Sequence, residues 1–259
     1  MFGLRLAFGR IVSLHGWRLD LVSCHSRLHV YHKALLQVHI DKCCKMYVNQ
    51  PHRSYQPVMP LYNQNYDFFL VLDFEATCEE GRQIIPQEII EFPVIKVNAR
   101  TMKREGLFHR YVQPTRPPSA FCTRLTGIME EMLINQPPFR AVLMDFENWL
   151  IREGLIDKKI IFVTCGNWDL QVMLPDQCSQ IHYPVPAVMK SWINIKKIFF
   201  TATGIFPRNL MHMLEILGLP HIGRLHSGID DCLNTCMILE ELARRGVVFH
   251  RTNNYTSPV

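Results

Sequence analysis

The stretch that decides the fold comprises residues 68–77, Phe68-Phe69-Leu70-Val71-Leu72-Asp73-Phe74-Glu75-Ala76-Thr77. Five apolar residues lead straight into two carboxylates, a pattern typical of a strand buried on both faces. Side chains at i and i+2 of a strand share a face, so Asp73 and Glu75 should emerge together at its end. Such close like charges resist joint ionisation unless a cation lies between them. The pair therefore predicts half of a metal site, and the alternative is two solvated acids at a frayed strand end.

The length and the charge distribution limit the domain organisation. A chain of 259 residues has room for one large α/β domain, alone or with an extension. Its net charge of +5 is uneven, because residues 1–66 carry eight Lys or Arg against two acids and residues 67–259 carry twenty against twenty-one. We therefore predict a basic N-terminal extension over residues 1–65, poorly ordered or used for targeting, a main domain over 66–252 and a short tail over 253–259.

Cysteine usage and hydropathy bear on the compartment. Nine cysteines, an odd number without framework spacing, favour free thiols in a reducing compartment. No apolar run approaches the ~20 residues that span a bilayer, so we expect no membrane segment. The acid-poor start with Arg5, Arg10 and Arg18 can be a mitochondrial presequence, and equally an untranslated-like extension or a disordered basic tail. The predicted location is intracellular, in the cytoplasm, the nucleus or both, with the mitochondrion as the alternative.

The remaining elements alternate in a way that predicts an α/β fold. Apolar runs over residues 88–97 and 107–113 predict a hairpin beside the first strand. Residues 138–153 show the periodicity of an amphipathic helix, and residues 160–163 predict another buried strand. A last helix begins at the capping signature Ser227-Gly228-Ile229-Asp230. Strands that alternate with helices after a hairpin predict a mixed central sheet flanked by helices.

Two further acids lie beside the ends of these elements. Asp169 follows the strand at 160–163, and Asp231 lies in the first turns of the last helix. With Asp73 and Glu75 they would supply four carboxylates, a hard, oxygen-rich site suited to Mg²⁺ or Mn²⁺. Two such ions about 3.5–4 Å apart can activate a water and stabilise the leaving oxygen of a phosphodiester.

His226 stands immediately before the last helix and is the predicted general base. Imidazole titrates near neutrality, so this side chain can take the proton from an attacking water. A single histidine in this position is more often a packed or capping residue. No candidate residue decides the chemistry alone, and the interpretation depends on the whole set.

This set of residues resembles a known family. Asp73-x-Glu75, Trp168-Asp169 and His226-x-x-x-x-Asp231 are similar to the signature of the DEDD exonucleases in its histidine-bearing form. Five longer motifs resemble the enhanced-RNA-interference (histone-mRNA 3′-end) exoribonuclease family: Leu72-Asp73-Phe74-Glu75-Ala76-Thr77-Cys78, Pro86-Gln87-Glu88-Ile89-Ile90-Glu91-Phe92-Pro93, Leu125-Thr126-Gly127-Ile128, Trp192-Ile193-Asn194 and His226-Ser227-Gly228-Ile229-Asp230-Asp231. Two more are most similar to its prion-protein-interacting branch, Phe162-Val163-Thr164-Cys165-Gly166 and Pro220-His221-Ile222-Gly223-Arg224.

The resemblance implies a fold and an activity. The fold is ribonuclease H-like, and the activity is 3′-to-5′ hydrolysis of single-stranded RNA 3′ ends to nucleoside 5′-monophosphates. Matched by position, Asp73, Glu75, Asp169 and Asp231 would hold two Mg²⁺ ions, for which Mn²⁺ can substitute. Glu75 and His226 would be the catalytic residues, with His226 as the general base.

The resemblance also implies a substrate pocket. Phe121, Leu125 and Trp168 would frame the 3′-terminal nucleobase, and Thr77 would lie near the terminal ribose. Stacking on an aromatic face tolerates any nucleobase, which fits low sequence specificity. Plain core packing is the alternative for Trp168 and Phe121.

The sequence departs from the family pattern in two places. Leu225 precedes His226 where the family usually has proline, which would loosen the loop that places the general base. Residues 1–66 contain no separate RNA-binding module of the kind some relatives carry, which argues against high-affinity recognition of a structured RNA stem.

Other functions stay open at this point. A 3′-to-5′ exonuclease on single-stranded DNA is one, because four acids do not read the 2′-hydroxyl. A second is an adaptor that keeps the fold and binds RNA or protein with little turnover, against which the complete set of acids and histidine argues. A third is a polymerase-associated proofreading subunit, which would need a partner-binding tail. We expect a monomer that binds RNA 3′ ends, without membrane association and with a protein partner left open.

Overall fold

The computed structural model describes residues 61–254, so the predicted extension lies outside the described residues up to residue 60. The elements follow in the order β1 Phe68–Leu72, β2 Glu75–Ala76, β3 Ile89–Asn98, β4 Arg104–Tyr111, α1 Ala120–Thr126, α2 Glu130–Leu133, α3 Phe139–Arg152, β5 Ile160–Thr164, α4 Leu174–Gln180, β6 Ser191–Asn194, α5 Ile195–Thr203, α6 Leu210–Leu217, α7 Gly228–Arg244 and β7 Asn253–Asn254. A π-helical turn, Asp169–Met173, runs directly into α4, and a 3₁₀ turn, Ala187–Met189, precedes β6. None of the helices described is long and apolar enough to cross a membrane.

The strands form one mixed sheet with β1 in its interior. β3 runs antiparallel to β1, β2 and β4, whereas β5 is parallel to both β1 and β6. Val71 of β1 therefore lies opposite Ile95 of β3 on one side and Val163 of β5 on the other. The predicted hairpin beside the first strand and the predicted α/β architecture are confirmed.

The side chains of β1 alternate between two hydrophobic cores. Phe69 and Val71 pack in the core formed with α5, α6 and α7, and Leu70 and Leu72 pack in the core formed with α3 and α4. All four are at most 1% exposed. Burying a side chain of this kind contributes about 1.5–3 kcal/mol relative to leaving it in water. Burial on both faces explains why this strand is a continuous apolar run rather than an alternating one.

Three short strands are not predicted by the sequence pattern. β2 and β7 have two residues each and β6 has four, so none is long enough to show a two-residue period. β6 forms because β5 offers it a parallel edge, with Val163 opposite Ile193. These strands depend on partners distant in the sequence rather than on local pattern.

Hydrogen bonds tie both ends of the described chain to the rest of the fold. The Gln64 side chain donates from Nε2 to the carbonyl of Val247 at 2.8 Å and accepts from the N–H of Phe249 at 2.9 Å. The N–H of Tyr62 donates to the carbonyl of Arg100 at 2.7 Å, and β7 pairs with β6. The bonded structure thus extends a few residues beyond the predicted main domain at both ends.

Replacing Phe146 with alanine should destabilise the fold strongly. Its ring is fully buried on α3, 5.1 Å from the ring of Phe92 and 5.3 Å from that of Phe108. Phe146→Ala should lower the free energy of unfolding by about 3–5 kcal/mol, because it leaves a cavity among these rings. Met144 lies on the same helix but is 49% exposed, so Met144→Ala should change it by less than about 0.5 kcal/mol. Urea denaturation measures both, and equal effects would contradict the described packing.

Candidate active site

The first two acids follow β1, although not on one continuous strand. β1 ends one residue before Asp73, and β2 begins at Glu75. At the break, the N–H of Phe74 donates to Oδ1 of Asp169 at 2.9 Å, while its ring packs 4.8 Å from that of Phe92. The expectation that both acids extend from one regular strand is therefore wrong, because the chain leaves the ladder to bond with a neighbouring element.

The third acid opens the π-helical turn that follows β5. Asp169 is 5% exposed, and its bond to the N–H of Phe74 fixes this turn against the end of β1. Its neighbour Trp168 is 39% exposed. π-helical turns are rare and frequently occur at functional sites.

The fourth acid and the histidine lie at the start of α7. The backbone N–H of His226 donates to Oδ2 of Asp231 at 3.1 Å. The backbone of His226 has a φ of 59°, in the left-handed region that residues with a Cβ rarely adopt. One ligand atom each from Glu75, His226 and Asp231 lies within 4.8 Å of the other two. The structure therefore places His226, the predicted general base, as close to Glu75 and Asp231 as residues that share a metal ion would be. Asp73 and Asp169 are not part of this three-residue group.

Burial raises the pKa of all four acids, and other acids of the set raise the pKa of Asp73 and Glu75 further. Burial raises the pKa of Asp73 well above its ordinary value, and the carboxylates of Asp169, Glu75 and Asp231 raise this pKa further. Burial, followed by the charges of Glu91 and Asp231, raises the pKa of Glu75 to about 9. Burial also raises the pKa of Asp169 and of Asp231 to about 6, against backbone N–H donors that lower it. All four carboxylates thus resist ionisation without a nearby cation.

These residues fit a divalent cation. Oδ1 of Asp231 is buried and has no hydrogen-bond partner. Over residues 61–254, none of the four acids forms an ion pair with Lys or Arg. Buried carboxylates of this kind are normally paired or coordinate a metal. An oxygen-only set of four carboxylates suits a hard divalent ion.

His226 has the properties of a proton acceptor. Partial burial lowers its pKa from the ordinary value, and the positive charge of Arg224 lowers it further. A lowered pKa favours the neutral imidazole, which is the form that can accept a proton.

Glu91 is a residue of the site that the sequence pattern does not single out. It lies inside β3 and is 1% exposed. Its Oε2 accepts from the N–H of Gly228 at 3.0 Å and its Oε1 from that of Ile229 at 3.4 Å, while His109 Nε2 lies 2.7 Å from Oε1. The expected side-chain cap by Ser227 is wrong, since that side chain makes no capping bond. An acid between apolar neighbours, Ile90 and Phe92, was the available signal.

The start of α7 also depends on close backbone packing. A Cβ atom at Gly228 would lie 2.6 Å from the carbonyl oxygen of Asp73 and 3.1 Å from Oε2 of Glu91. Only glycine lets the helix approach the end of β1 this closely. Asp231 is thereby brought to the acids that follow β1.

Two of the predicted substrate residues lie on α1. Phe121 and Leu125 are four residues apart on one helix face, and both are half-buried. Among the described residues, neither belongs to a hydrophobic core cluster. Cys122 points its Sγ at the carbonyl of Ala76, 3.6 Å away, so α1 packs against β2. Two apolar side chains are thus presented beside the strand that carries Glu75.

The other two predicted substrate residues each lie close to an acid in the sequence, Trp168 immediately before Asp169 and Thr77 two residues after Glu75. Trp168 is partly exposed next to Asp169, which is not the environment of a core tryptophan. Thr77 is 6% exposed, and its Oγ1 accepts from the N–H of Glu88 at 2.9 Å. The hydroxyl hydrogen of Thr77 remains available to donate. Their contacts with substrate stay predictions.

Comparison with known proteins fixes the family. A family model described as Exonuclease matches residues 70–239. ERI1 exoribonuclease 3 of Homo sapiens is 52% identical over 195 residues, which cover 73% of this chain and 58% of that relative. The chain belongs to the ERI1 group of the exonuclease family. The predicted resemblance, including that to the prion-protein-interacting member, is confirmed. This ERI1-group chain spans 58–60% of the length of the three ERI1 exoribonuclease 3 relatives it matches.

Solved structures resemble the same domain. The nuclease domain of 3′hExo, described as a DEDDh family member bound to rAMP, is 35% identical with a TM-score of 0.71, covering 74% of this chain and 99% of that one. A structure described as 3′-end specific recognition of histone mRNA stem-loop by 3′-exonuclease is 35% identical with a TM-score of 0.68, covering 71% and 84%. The ribonuclease H-like fold is confirmed, and the DEDDh exonucleases are dependent on divalent metal ions.

The metal-free protein should lose stability as the pH rises. The pKa values of Asp169 and Asp231 are about 6 and that of Glu75 is about 9, against values near 4 in an unfolded chain. A raised pKa stabilises the folded state fully below the unfolded value, and this contribution is lost as the pH rises through the folded value. In EDTA, the free energy of unfolding should therefore fall between about pH 4 and pH 9.

Denaturation at several pH values, with Asp231→Asn as the matched variant, tests this expectation. The variant lacks one of the titrating carboxyls, so its stability should fall less steeply with pH. Added Mg²⁺ should raise the melting temperature of the wild type more at pH 8 than at pH 5. Identical pH slopes for wild type and variant would contradict the described electrostatics.

Proposed function

We propose that this chain is a metal-dependent 3′-to-5′ exoribonuclease that hydrolyses single-stranded RNA 3′ ends to nucleoside 5′-monophosphates. The observation that carries the proposal is the meeting of Glu75, His226 and Asp231 within 4.8 Å, in the electrostatic field of Asp73 and Asp169. Membership of the ERI1 group supports the substrate class, since its named relatives are exoribonucleases. A nuclease domain that resembles this one binds rAMP, a ribonucleoside monophosphate.

The proposed metal is Mg²⁺, as two ions, with Mn²⁺ as a substitute. Asp73, Glu75, Asp169 and Asp231 would hold them, because carboxylate oxygens are the ligands that these ions prefer. When bound, the ions would supply electrostatic stabilisation of the charge that develops on the phosphodiester oxygens. The unpartnered Oδ1 of Asp231 supports this assignment.

His226 is the proposed general base. Its neutral imidazole accepts the proton of the attacking water, whose oxygen bonds to the scissile phosphorus. The 3′-oxygen of the penultimate nucleotide then leaves and acquires a proton, which frees the terminal nucleotide as a 5′-monophosphate. A ligand oxygen of Glu75 lies within 4.8 Å of a ring nitrogen of His226, so the proposed base is next to a proposed metal ligand.

The terminal nucleotide is the proposed occupant of the surface next to the acids. Trp168 offers a partly exposed indole beside Asp169, and Phe121 and Leu125 offer an apolar face on α1. Stacking of this kind is worth about 1–3 kcal/mol per nucleobase and tolerates any sequence. Thr77 would donate its hydroxyl to the terminal ribose.

The proposed location is intracellular, in the cytoplasm or the nucleus. Its support is the state of the cysteines at positions 78, 122, 165, 178, 232 and 236, which are all free thiols. Free thiols persist in reducing compartments. The presequence hypothesis concerns residues that lie outside the described part of the chain.

Digestion of end-labelled oligonucleotides tests the activity directly. A 3′-labelled and a 5′-labelled single-stranded RNA, and the matching DNA, are incubated with Mg²⁺ or with EDTA. We expect Mg²⁺-dependent release of 5′-mononucleotides from the RNA 3′ end, with DNA cut more slowly. Equal cutting of DNA would favour the DNA exonuclease, and binding of RNA without cutting would favour the adaptor.

Two variants should separate metal binding from proton transfer. Asp73→Ala should lose both turnover and the gain in melting temperature on adding Mg²⁺, because a ligand is removed. His226→Ala should keep that gain while kcat at neutral pH falls by about 10²- to 10⁴-fold, the usual contribution of a general base. Asp145→Ala, which removes a surface acid paired with Arg110, is the control and should leave both readouts unchanged. A His226→Ala enzyme with the wild-type rate would show that another group takes the proton.

A further inference from the structure

The loop that carries His226 is bound on one side to α7. The N–H of Ile222 donates to Oδ1 of Asn234 at 2.9 Å, and Nδ2 of Asn234 donates back to the carbonyl of Ile222 at 2.8 Å. The N–H of Arg224 donates to Oδ2 of Asp230 at 2.9 Å. Asn234 is fully buried. The backbone of this loop is therefore fixed to α7 on both sides of residue 223.

The side chain of Arg224 reaches in the opposite direction, to the C-terminal end of α1. Its Nη2 donates to the carbonyl of Arg124 and, at 3.4 Å, to the carbonyl of Leu125. These carbonyls belong to the last turn of α1, which lacks intrahelical donors and attracts positive charge. A guanidinium is thus bound where a helix end favours a cation.

Gly127 makes room for this contact. It is the C-cap of α1, with a φ of 78°, and a Cβ atom there would collide with the guanidinium of Arg224. The guanidinium therefore occupies the space that any other residue at position 127 would fill. The contact joins two segments about one hundred residues apart in sequence.

We propose that Arg224 is a positioning residue that couples binding of the 3′-terminal nucleobase to the placement of His226. On one side, its guanidinium bonds to the turn that contains Leu125, one of the two apolar side chains α1 presents to the nucleobase. On the other, its backbone lies two residues before His226 in the loop fixed to α7. A nucleobase packed on α1 thereby stabilises the end of the helix to which the catalytic loop is bound. This inference rests on the proposed exoribonuclease function.

The chemistry of arginine suits this role better than that of lysine. A planar guanidinium can donate to two carbonyls from fixed directions, whereas an ammonium is a single, strongly hydrated point charge. The backbone bonds to α7 remain without this link, but the side-chain contact with α1 is lost, so the imidazole of His226 should shift by up to about 1 Å while the acids keep their places. Misplacement on this scale costs up to roughly 100-fold in rate.

The coupling is tested by a thermodynamic cycle in which Arg224 of the enzyme and the 3′-terminal nucleobase of the RNA are each removed, singly and together. The first-cleavage rate is measured under single-turnover conditions, over a range of enzyme concentrations, on an RNA with an ordinary 3′ end and on the same RNA with an abasic 3′-terminal ribose. We expect Arg224→Ala to lower the maximal rate on ordinary RNA about 10- to 100-fold and to keep the melting-temperature gain on adding Mg²⁺. In the wild type the abasic end should lower the maximal rate and weaken binding, whereas in Arg224→Ala it should weaken binding only. Non-additivity of this kind is the signature of two groups that act on each other.

Matched variants separate coupling from general damage. Arg224→Lys should recover part of the rate, and Arg152→Ala, which removes a surface arginine paired with Asp145, should behave as the wild type. Equal losses from the abasic end in wild type and Arg224→Ala would overturn the coupling, as would a loss of the Mg²⁺ response. If the alanine variant does not fold, the same comparison is made with Arg224→Lys.

Hydrogen exchange distinguishes failure of the coupling from failure of the proposed function. In Arg224→Ala, amides of residues 121–127 and 222–227 should both exchange faster than in the wild type, whether or not RNA is cut. A wild type that cuts no RNA would refute the exoribonuclease proposal. Unchanged exchange in both segments would refute the link itself.

Discussion

The rest of this structure must hold four carboxylates close together although burial and their mutual repulsion disfavour their charged forms. Asp169, Glu75 and Asp231 raise the pKa of Asp73, and Asp231 and Asp169 raise that of Glu75, where burial already disfavours charge at all four acids. A flexible framework would let them move apart into water. They stay together because they extend from the ends of elements whose side chains fill two cores, one on each face of the sheet. Packing thus holds the four carboxylates close together, and a divalent ion between them would offset their mutual repulsion.

A buried acid of the sheet caps the start of α7 and so attaches this helix to the strands. Glu91, inside β3, accepts from the N–H groups of Gly228 and Ile229 and so replaces the expected local cap. A carboxylate at a helix N-terminus is favourable because the exposed N–H groups carry partial positive charge. The same acid adds to the field at Glu75, so one buried charge both anchors the helix and perturbs the site.

Hydrogen bonds restrain the loop that carries His226, in which Leu225 stands at the position where the family usually has proline. Leu225 is 41% exposed, so the position itself is only weakly fixed by packing. Hydrogen bonds between the loop backbone and the side chains of Asp230 and Asn234, together with the contact of the Arg224 side chain with α1, hold the loop in place. The left-handed φ of His226 persists because these contacts over-determine the loop.

The longer elements of the fold and the types of side chain in the candidate site were readable from the sequence alone. The continuous apolar run of β1, the periodicity of α3 and the acids placed next to element ends are local signals, because burial on two faces and helical amphipathicity depend on nearby residues. The family signature added the roles of Asp73, Asp169 and His226 in advance, as predictions. These local signals indicate whether a segment is a helix or a strand and which side chains it carries.

Only the tertiary structure decided how these parts meet. The break between Asp73 and Glu75, the π-helical turn at Asp169, the cap from Glu91 and the bridge from Arg224 all join residues far apart in the chain. Such contacts leave no periodic trace, because each depends on a partner that the fold brings into place. The sequence by itself determined which groups are present, and packing across the sheet determined which of them lie within reach of one another.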